Sequence, residues 1–183
     1  MSEFTLQNLF KKGGLDDGQV LTMLGNEFEF TWTDDAVAPG ASIYASFVTG
    51  SKYAVVNFRE VLMDQERGFY RFYVSPPALG AAGDPVVAYN FRGDSAQTSE
   101  TVITKRTNPD LTGTPFRVEI PMFGAAGQGN SPTIGDLSAE NAVRIVPPGT
   151  EIILELENAS VAASYMKENV KYWEVSPSAM LAL

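Results

Sequence analysis

TEIILELE, residues 150–157, decides the fold class of this chain. Ile152, Leu154 and Leu156 alternate with glutamates, and only Ile153 interrupts the polar positions. Successive side chains of a strand point to opposite faces of its sheet. The pattern therefore predicts a strand with one face in a core and the other mostly in water.

The same alternation recurs along the chain from residue 27. Phe28, Phe30 and Trp32 alternate with polar residues, which indicates a half-buried strand. Further strands are predicted at residues 42–48, 53–62, 68–74, 86–91, 100–105, 116–120, 143–146 and 170–175. About ten short strands separated by Gly, Pro, Asn and Asp predict an all-β fold, an antiparallel β-sandwich of jelly-roll type.

The connections between these strands carry predictions of their own. Residues 64–67 predict a hairpin between the strands at 53–62 and 68–74. Two loops of small residues, 78–85 and 124–132, are either exposed connections or segments ordered by a neighbouring subunit. The 16 glycines and 11 prolines argue against long helices. Short helical turns are predicted at residues 5–10, 137–142 and 161–167.

The chain divides into an N-terminal arm with a hinge, residues 1–25, and a β-sandwich domain, residues 26–183. The arm contains a Gly13–Gly14 hinge. Its candidate partner-binding residues are four apolar residues and two lysines that precede this hinge: Phe4, Leu6, Leu9, Phe10, Lys11 and Lys12. Glu3 and the lack of a long apolar run predict no secretory signal. No stretch approaches the roughly 18 apolar residues that span a bilayer, so no membrane association is expected.

The chain contains neither histidine nor cysteine. This excludes a Ser-His-Asp triad, a Cys-His pair and an imidazole proton shuttle, and it disfavours zinc, copper and haem sites. We therefore expect a protein that is not an enzyme and has no cofactor or metal. A glycosidase that uses only carboxylates stays open as an alternative.

The charge balance also restricts the partners. Thirteen basic against 22 acidic residues give a net charge of −9, which opposes binding to nucleic acid phosphates. Residues 1–14 carry a net +1, which leaves −10 for residues 15–183. Because histidine is absent and ordinary carboxylates titrate near pH 4, no sharp transition in folding is expected between pH 6 and 8.

Three short motifs have both a functional and a structural interpretation. Arg92-Gly93-Asp94 is the tripeptide that integrins recognise, but a turn at a strand end explains it better. The pairs Asp16/Asp17 and Asp34/Asp35 lack the spacing of a calcium loop and are interpreted as turn residues. The Asn158-Ala159-Ser160 glycosylation sequence is likewise interpreted as a turn.

Aromatic residues suggest a subunit interface. Consecutive aromatics in one strand face both sides of a sheet, so one set covers the core and the other packs against a partner or a sugar. We favour the partner, because aromatics are enriched in interface cores. The candidate interface residues are Phe69, Tyr70, Phe72 and Tyr73, together with Met180, Leu181 and Leu183 of the apolar C-terminal tail.

A longer stretch, residues 89–158, resembles a pattern found in structural proteins of tailed bacteriophages. It consists of YNFRGDSAQTSETVITKRTNPDLTGTPF, a Gly-rich loop and IVPPGTEIILELEN. Strands, a Ser/Thr-rich turn, Thr-Asn-Pro and a Pro-Gly-Thr turn follow one another in the same order. The N-terminal third has no counterpart in that pattern.

This resemblance implies a β-sandwich or jelly-roll capsid decoration (cement) protein. It further implies a homotrimer bound to the major capsid protein on the virion surface after synthesis in the host cytoplasm. A stiff β scaffold with an extension needs no reactive groups, which agrees with the composition. The alternatives are a carbohydrate-binding or host-recognition module of a phage fibre or tail, and the carboxylate-only glycosidase.

Overall fold

The computed structural model describes residues 21–22, 24–114, 116–122 and 144–180. Over these residues the chain is all-β, with two antiparallel sheets whose inner faces meet in one core. The predicted all-β class is confirmed. In the described residues, helix is limited to positions 21–22 and the single turn α1 (Pro177–Met180).

Most predicted strands are present, and those at 42–48 and 68–74 have the predicted bounds. The strands of the described residues are β1 (Glu27–Val37), β2 (Ser42–Val48), β3 (Tyr53–Met63), β4 (Gly68–Val74), β5 (Ala81–Val86), β6 (Tyr89–Asn90), β7 (Val102–Thr107), β8 (Phe116–Met122), β9 (Arg144–Val146), β10 (Glu151–Asn158) and β11 (Ser164–Val175). The stretch at 150–157 forms β10, as predicted. The prediction that one of its faces lies mostly in water is wrong, because the five residues Ile152–Leu156 are all buried.

The strand order interleaves the two ends of the chain. One sheet has the order β6-β1-β11-β3-β9 and the other β5-β7-β2-β10-β4-β8, and all the pairs are antiparallel. The first long strand, β1, pairs with the last, β11, and β2 pairs with β10. Late strands therefore fill the centre of both sheets.

The core between the sheets is aromatic at its centre. Phe30 lies 5.9 Å from Phe47, and Phe47 lies 5.4 Å from Tyr172, measured between ring centroids. Phe28 extends the cluster at 5.8 Å from Tyr172. Aromatic pairs at such separations add about 0.5–1.5 kcal/mol each beyond their buried area. The alternation of Phe28 and Phe30 in the sequence places both rings on the inner face of β1.

The predicted hairpin at residues 64–67 is wrong. β3 pairs with β11 and β9, whereas β4 pairs with β10 and β8, so the connection passes from one sheet to the other. The two strands each present buried residues to the common core, Val61 and Met63 from β3 and Tyr70 and Phe72 from β4. Because the two strands lie in different sheets, their apolar sides face each other across the core and are both buried. If the strands paired edge to edge in one sheet, these sides would not cover each other.

Residues 81–91 cover one side of the two-sheet structure. β5 is the edge strand of the six-stranded sheet and β6 is the edge strand of the other. The chain thus passes from one sheet to the other between β5 and β6. The predictions of a loop over 78–85 and of one strand over 86–91 are therefore both wrong. A register shift between Ala82 and Pro85 and the proline itself make β5 a poor template for an additional strand.

The predicted helical turn at residues 161–167 is also wrong, because residues 164–167 begin β11. β11 has partners on both sides, β1 and β3, and its residues 164–174 alternate between buried and half-buried positions. Tertiary pairing thus overrides the local composition. The other predicted helical turns, at 5–10 and 137–142, lie outside the described residues, as does the loop at 124–132.

Candidate functional site

A cluster of polar side chains lies on the outer face of the six-stranded sheet. We call Tyr44, Arg71, Tyr73, Glu155 and Glu157 the Glu155 cluster. Glu155 of β10 lies in register between Tyr44 of β2 and Arg71 of β4. Leucines on either side of Glu155 point into the core, and this alternation turns the carboxylate outward.

The members of the Glu155 cluster form hydrogen bonds with one another. The Tyr73 hydroxyl donates to Glu155 Oε2 at 2.7 Å, and the Tyr44 hydroxyl donates to Oε1 at 3.3 Å. Arg71 Nη1 lies 3.3 Å from Glu155 Oε2 and also donates to Glu157. Burial, followed by Glu155, raises the pKa of Tyr73, and burial also raises the pKa of Tyr44. Both hydroxyls therefore stay protonated donors at neutral pH.

The glycosidase alternative would use Glu155 and Glu157, which lie two residues apart on one face. Two strand residues with this spacing are about 6–7 Å apart, within the range of catalytic carboxylate pairs. A general acid, however, needs an apolar environment that keeps it protonated. Here one guanidinium contacts both carboxylates. The arrangement fits a structural network across three strands better than an acid–base couple.

Exposed apolar side chains form a second feature, at the β6 edge. We call Val87, Tyr89 and Phe91 the aromatic edge; their exposed fractions are 57%, 69% and 50%. Alternate residues Val86 and Ala88 pack against the core, which turns these three outward. Tyr89 lies opposite Glu29 of β1, and Lys171 Nζ lies 4.5 Å from the centre of the Phe91 ring. The aromatic edge therefore has charged neighbours of both signs.

The Arg92-Gly93-Asp94 turn follows the aromatic edge directly. Arg92 Nε donates to Asp94 Oδ1 at 2.6 Å, and Nη2 donates to Oδ2 at 3.0 Å. Hydrogen bonding and charge from Arg92 lower the pKa of Asp94. The two charged groups bind each other, so the turn interpretation accounts for the tripeptide without a receptor.

The prediction that Asp34 and Asp35 are turn residues is wrong, because both lie within β1. Asp34 Oδ1 accepts a hydrogen bond from the Ala36 amide at 3.1 Å, beside the register shift near the end of β1. Asn158 ends β10, and its Oδ1 accepts a hydrogen bond from the Ser160 amide at 3.0 Å, which fits the predicted turn. Asn158 is fully buried and donates to the Val37 and Ala162 carbonyls at 2.8 Å. A buried, bonded amide is not accessible for glycosylation. Asp16 and Asp17 lie outside the described residues.

One carboxylate, Glu168, lies inside the core. It is fully buried on β11, accepts a hydrogen bond from Trp32 Nε1 at 2.9 Å and forms an ion pair with Arg59 Nε at 3.3 Å. Arg59 in turn lies 5.0 Å above the Tyr70 ring. Burial raises the pKa of Glu168, while Arg59, Trp32 and Tyr70 oppose that shift. These contacts link β1, β3 and β11 within one sheet and reach β4 of the other.

A second inward carboxylate, Glu174, holds the loop before β7. Its Oε1 accepts hydrogen bonds from Ser99 Oγ at 2.7 Å and from the Glu100 amide, the Thr101 amide and Thr101 Oγ1 at 2.9 Å each. Glu174 is 2% exposed and its loop partner Thr101 is also buried. The carboxylate therefore pins residues 99–101 to the end of β11.

The adjacent Glu100 gives a pH prediction. Ser51 and Lys52 bind its carboxylate, which lowers its pKa from 4.5 to about 2. A lowered folded-state pKa stabilises the protein above pH 4.5, and this contribution is lost as the pH falls towards 2. We expect Glu100→Gln to weaken the loss of stability between pH 4.5 and 2, measured by urea unfolding. An unchanged acid dependence would contradict this assignment.

The predicted interface residues have different locations. Tyr70 is fully buried and Phe72 is 3% exposed, both in the chain's own core, and Tyr73 belongs to the Glu155 cluster. The prediction that these three contact a partner is corrected, because their rings are already covered within one chain. Phe69 is half-buried beneath Arg67 and Arg71, with their guanidinium carbons 5.2 and 4.9 Å from its ring centre.

The remaining candidates lie at the chain ends. Met180 packs with Leu21, Val55 and Val175 in a small apolar cluster outside the main core. The residues Phe4, Leu6, Leu9, Phe10, Lys11, Lys12, Leu181 and Leu183 lie outside the described residues. Sequence analysis missed the aromatic edge, although the strand predicted at 86–91 already contained its alternating residues.

Comparison of the chain with protein-family models, curated proteins and solved structures finds no match. In the described residues, no helix is long and apolar enough to cross a membrane. Among the same residues, no group of three or more acidic side chains is arranged to hold a metal ion. The function is therefore inferred from the surfaces and contacts of the chain itself.

Proposed function

We propose that this chain is a non-enzymatic virion structural protein, a decoration (cement) protein of a tailed-phage capsid. It acts through protein–protein contacts on the capsid surface, with the major capsid protein and with further copies of itself as a homotrimer. The resemblance of residues 89–158 to phage structural proteins supports this role. The polar clusters support it too, because their carboxylates are engaged in contacts within the chain.

The aromatic edge is the observation that carries the proposal. Three consecutive outward positions, Val87, Tyr89 and Phe91, expose half or more of their apolar side chains. Large exposed aromatic residues are enriched at protein interfaces, where their burial from water supplies binding energy. Lys171 and Glu29 beside them provide charges for the rim of such an interface.

We further propose that the fold is a jelly roll. Without β5, β6 and β7, the two sheets have the orders β1-β11-β3-β9 and β2-β10-β4-β8. Early and late strands alternate in both sheets, as expected when one long antiparallel ribbon rolls into two four-stranded sheets. β5, β6 and β7 are then an insertion that extends each sheet at one edge.

The aromatic edge also supports a second candidate, a carbohydrate-binding module of a phage fibre or tail. An exposed tyrosine ring with a carboxylate and an ammonium group nearby can stack on a sugar ring and bind its hydroxyls. Antibody labelling of virions from the phage that encodes the chain separates the two. Label on the head supports decoration, whereas label on the tail or fibres contradicts it and supports sugar binding.

We expect the double variant Tyr89→Ser/Phe91→Ser to lose binding to capsids. Truncating two interface anchors costs at least about 2 kcal/mol, roughly thirty-fold in affinity. Folding should be little affected, because both rings are already half-exposed or more. Cosedimentation with purified heads measures the binding, and thermal unfolding measures the stability.

Val161→Ser is the matched control, since Val161 is 94% exposed in the turn before β11. It removes an exposed apolar side chain without touching the aromatic edge. Binding by the double variant equal to that of Val161→Ser would contradict the role of the aromatic edge.

A further inference from the structure

An apolar groove opens on the side of the two sheets opposite residues 81–91. It has a volume of about 420 Å³ and lies between β9 at the edge of one sheet and β4 and β10 of the other. Phe72, Val74 and Ile152 form one wall, and Ile145 and Val146 form the facing wall. Phe72, Val146 and Ile152 are themselves buried, whereas Ile145 is 50% exposed, so the groove presents apolar surface mainly at Ile145.

The packing behind the groove is incomplete. An interior cavity of about 10 Å³ shares Phe72, Val146 and Ile152 with it. That volume is about one water-sized probe, and the lining is apolar apart from Arg59. An apolar side chain inserted from the groove would gain contacts that the two sheets do not make with each other.

The chain enters the fold next to this groove. Leu21 packs in the cluster that contains Val55, and Val55 lies directly opposite Ile145 in the register of β3 and β9. Neighbouring strands are about 4.8 Å apart. Leu21, the first described residue, therefore lies close to one wall of the groove.

The segment that precedes Leu21 has the composition and the length of an occupant. Phe4, Leu6, Leu9 and Phe10 are apolar, and residues 1–14 carry +1 against −10 for residues 15–183. The eleven residue-to-residue steps from Phe10 to Leu21 would span up to about 36–40 Å if extended, roughly the width of a domain of this size. The apolar residues can thus reach the groove of an adjacent molecule.

We propose that the groove binds the N-terminal arm, residues 4–10, of a second copy of this chain. This inference rests on the self-association included in the proposed function and assigns a surface to it. Apolar burial supplies the attraction, and many arms acting together on a symmetric particle offset the cost of ordering each one.

The absence of cysteine from the chain permits a direct test. Leu9→Cys and Ile145→Cys are placed in separate full-length chains that carry different tags, and the two chains are co-expressed and oxidised. We expect a covalent heterodimer on a non-reducing gel. Leu9→Cys with Val161→Cys is the matched control, because Val161 is exposed elsewhere on the surface.

Two outcomes would overturn the proposal. One is a heterodimer yield no higher than in the Val161→Cys control. The other is a double variant, Leu9→Cys/Ile145→Cys, that forms its disulfide only within one chain, which would place the arm in the groove of its own molecule. As a second measurement, Ile145→Glu should abolish the oligomer in light scattering, while Val161→Glu should retain it.

The cross-linking experiment tests the groove, and antibody labelling of virions tests the proposed function, so the two can fail independently. If cross-linking fails but antibody still labels phage heads, the groove assignment falls and the capsid role stands. If the heterodimer forms but heads carry no label, arm exchange stands and the capsid role falls.

Discussion

Glu168→Ala is expected to destabilise the fold by about 3–5 kcal/mol, the usual cost of removing one partner of a buried ion pair. Arg59 would keep its charge in the core without a counterion, and Trp32 Nε1 would lose its acceptor at 2.9 Å. A cavity would add to the loss, since Glu168 is fully buried. Urea unfolding followed by tryptophan fluorescence measures the free energy of unfolding.

Glu29→Ala is the matched control for this prediction. Glu29 lies 4.0 Å from Lys171, and both side chains are about 30% exposed. An exposed pair of this kind contributes about 0–1 kcal/mol. If Glu168→Ala costs no more than Glu29→Ala, Glu168 does not stabilise the core.

The pH dependence of stability gives a second readout of Glu168. Burial raises its folded-state pKa above the ordinary value of 4.5. The pH-dependent part of its contribution is therefore complete below pH 4.5 and declines as the pH rises through the folded-state pKa, the opposite sense to Glu100. The packing of Glu168 and its contacts with Arg59 and Trp32 remain at higher pH. Glu168→Ala should remove this dependence. The absence of a sharp transition between pH 6 and 8 stays a prediction. A transition in that range that disappears in Glu168→Ala would contradict it and assign the transition to Glu168.

The fold class could be predicted because the central strands follow a simple alternation. Phe28 and Phe30 in β1 and Leu154 and Leu156 in β10 recur at every second position, and their burial follows directly. β11 was predicted only over 170–175, because in its first half a glutamate occupies an inward position, 168. A second inward glutamate, 174, lies within the predicted part. The partners of Glu168, which are Trp32 and Arg59, come from distant parts of the chain, so the local sequence gives no sign that this charged position is buried.

Pairing between strands was harder to predict than the strands themselves. A short polar connection at 64–67 suits a hairpin and a crossing between sheets equally well. Only the common apolar core that β3 and β4 help to form selects the crossing. Pairing between strands far apart in the chain, such as β1 with β11, cannot be deduced from the spacing of apolar residues within each strand.

The surfaces were predicted least well. The aromatic residues of Phe69–Tyr73 were predicted to form an interface, but Tyr70 and Phe72 fill the core. The exposed aromatics, Tyr89 and Phe91, follow the same alternation as core residues. Composition does not distinguish them, because exposure depends on β6 being an edge strand with no neighbour on one side in the described residues.

Glu174→Ala is expected to cost about 2–4 kcal/mol and to release residues 99–101. The Thr101 amide and hydroxyl and the Ser99 hydroxyl would lose the Oε1 acceptor that now binds them. Each buried donor left unsatisfied costs about 1–3 kcal/mol, although water that enters the opened site recovers part of this. The loop should then become accessible, so digestion with a protease of broad specificity should cut within residues 95–101.

Glu100→Ala separates this effect from a general loss of charge in the same loop. It removes an exposed carboxylate next to the pinned segment but keeps the Glu100 amide, which donates to Glu174. Glu100→Ala should therefore resist the protease like the unaltered protein, although it gives up the stability that the contacts of Glu100 with Ser51 and Lys52 provide at neutral pH. Equal cleavage of the two variants would show that Ser51 and Lys52, through Glu100, hold the loop. Cleavage confined to Glu174→Ala would identify the buried carboxylate as its anchor, because only that variant removes the acceptor shared by residues 99–101.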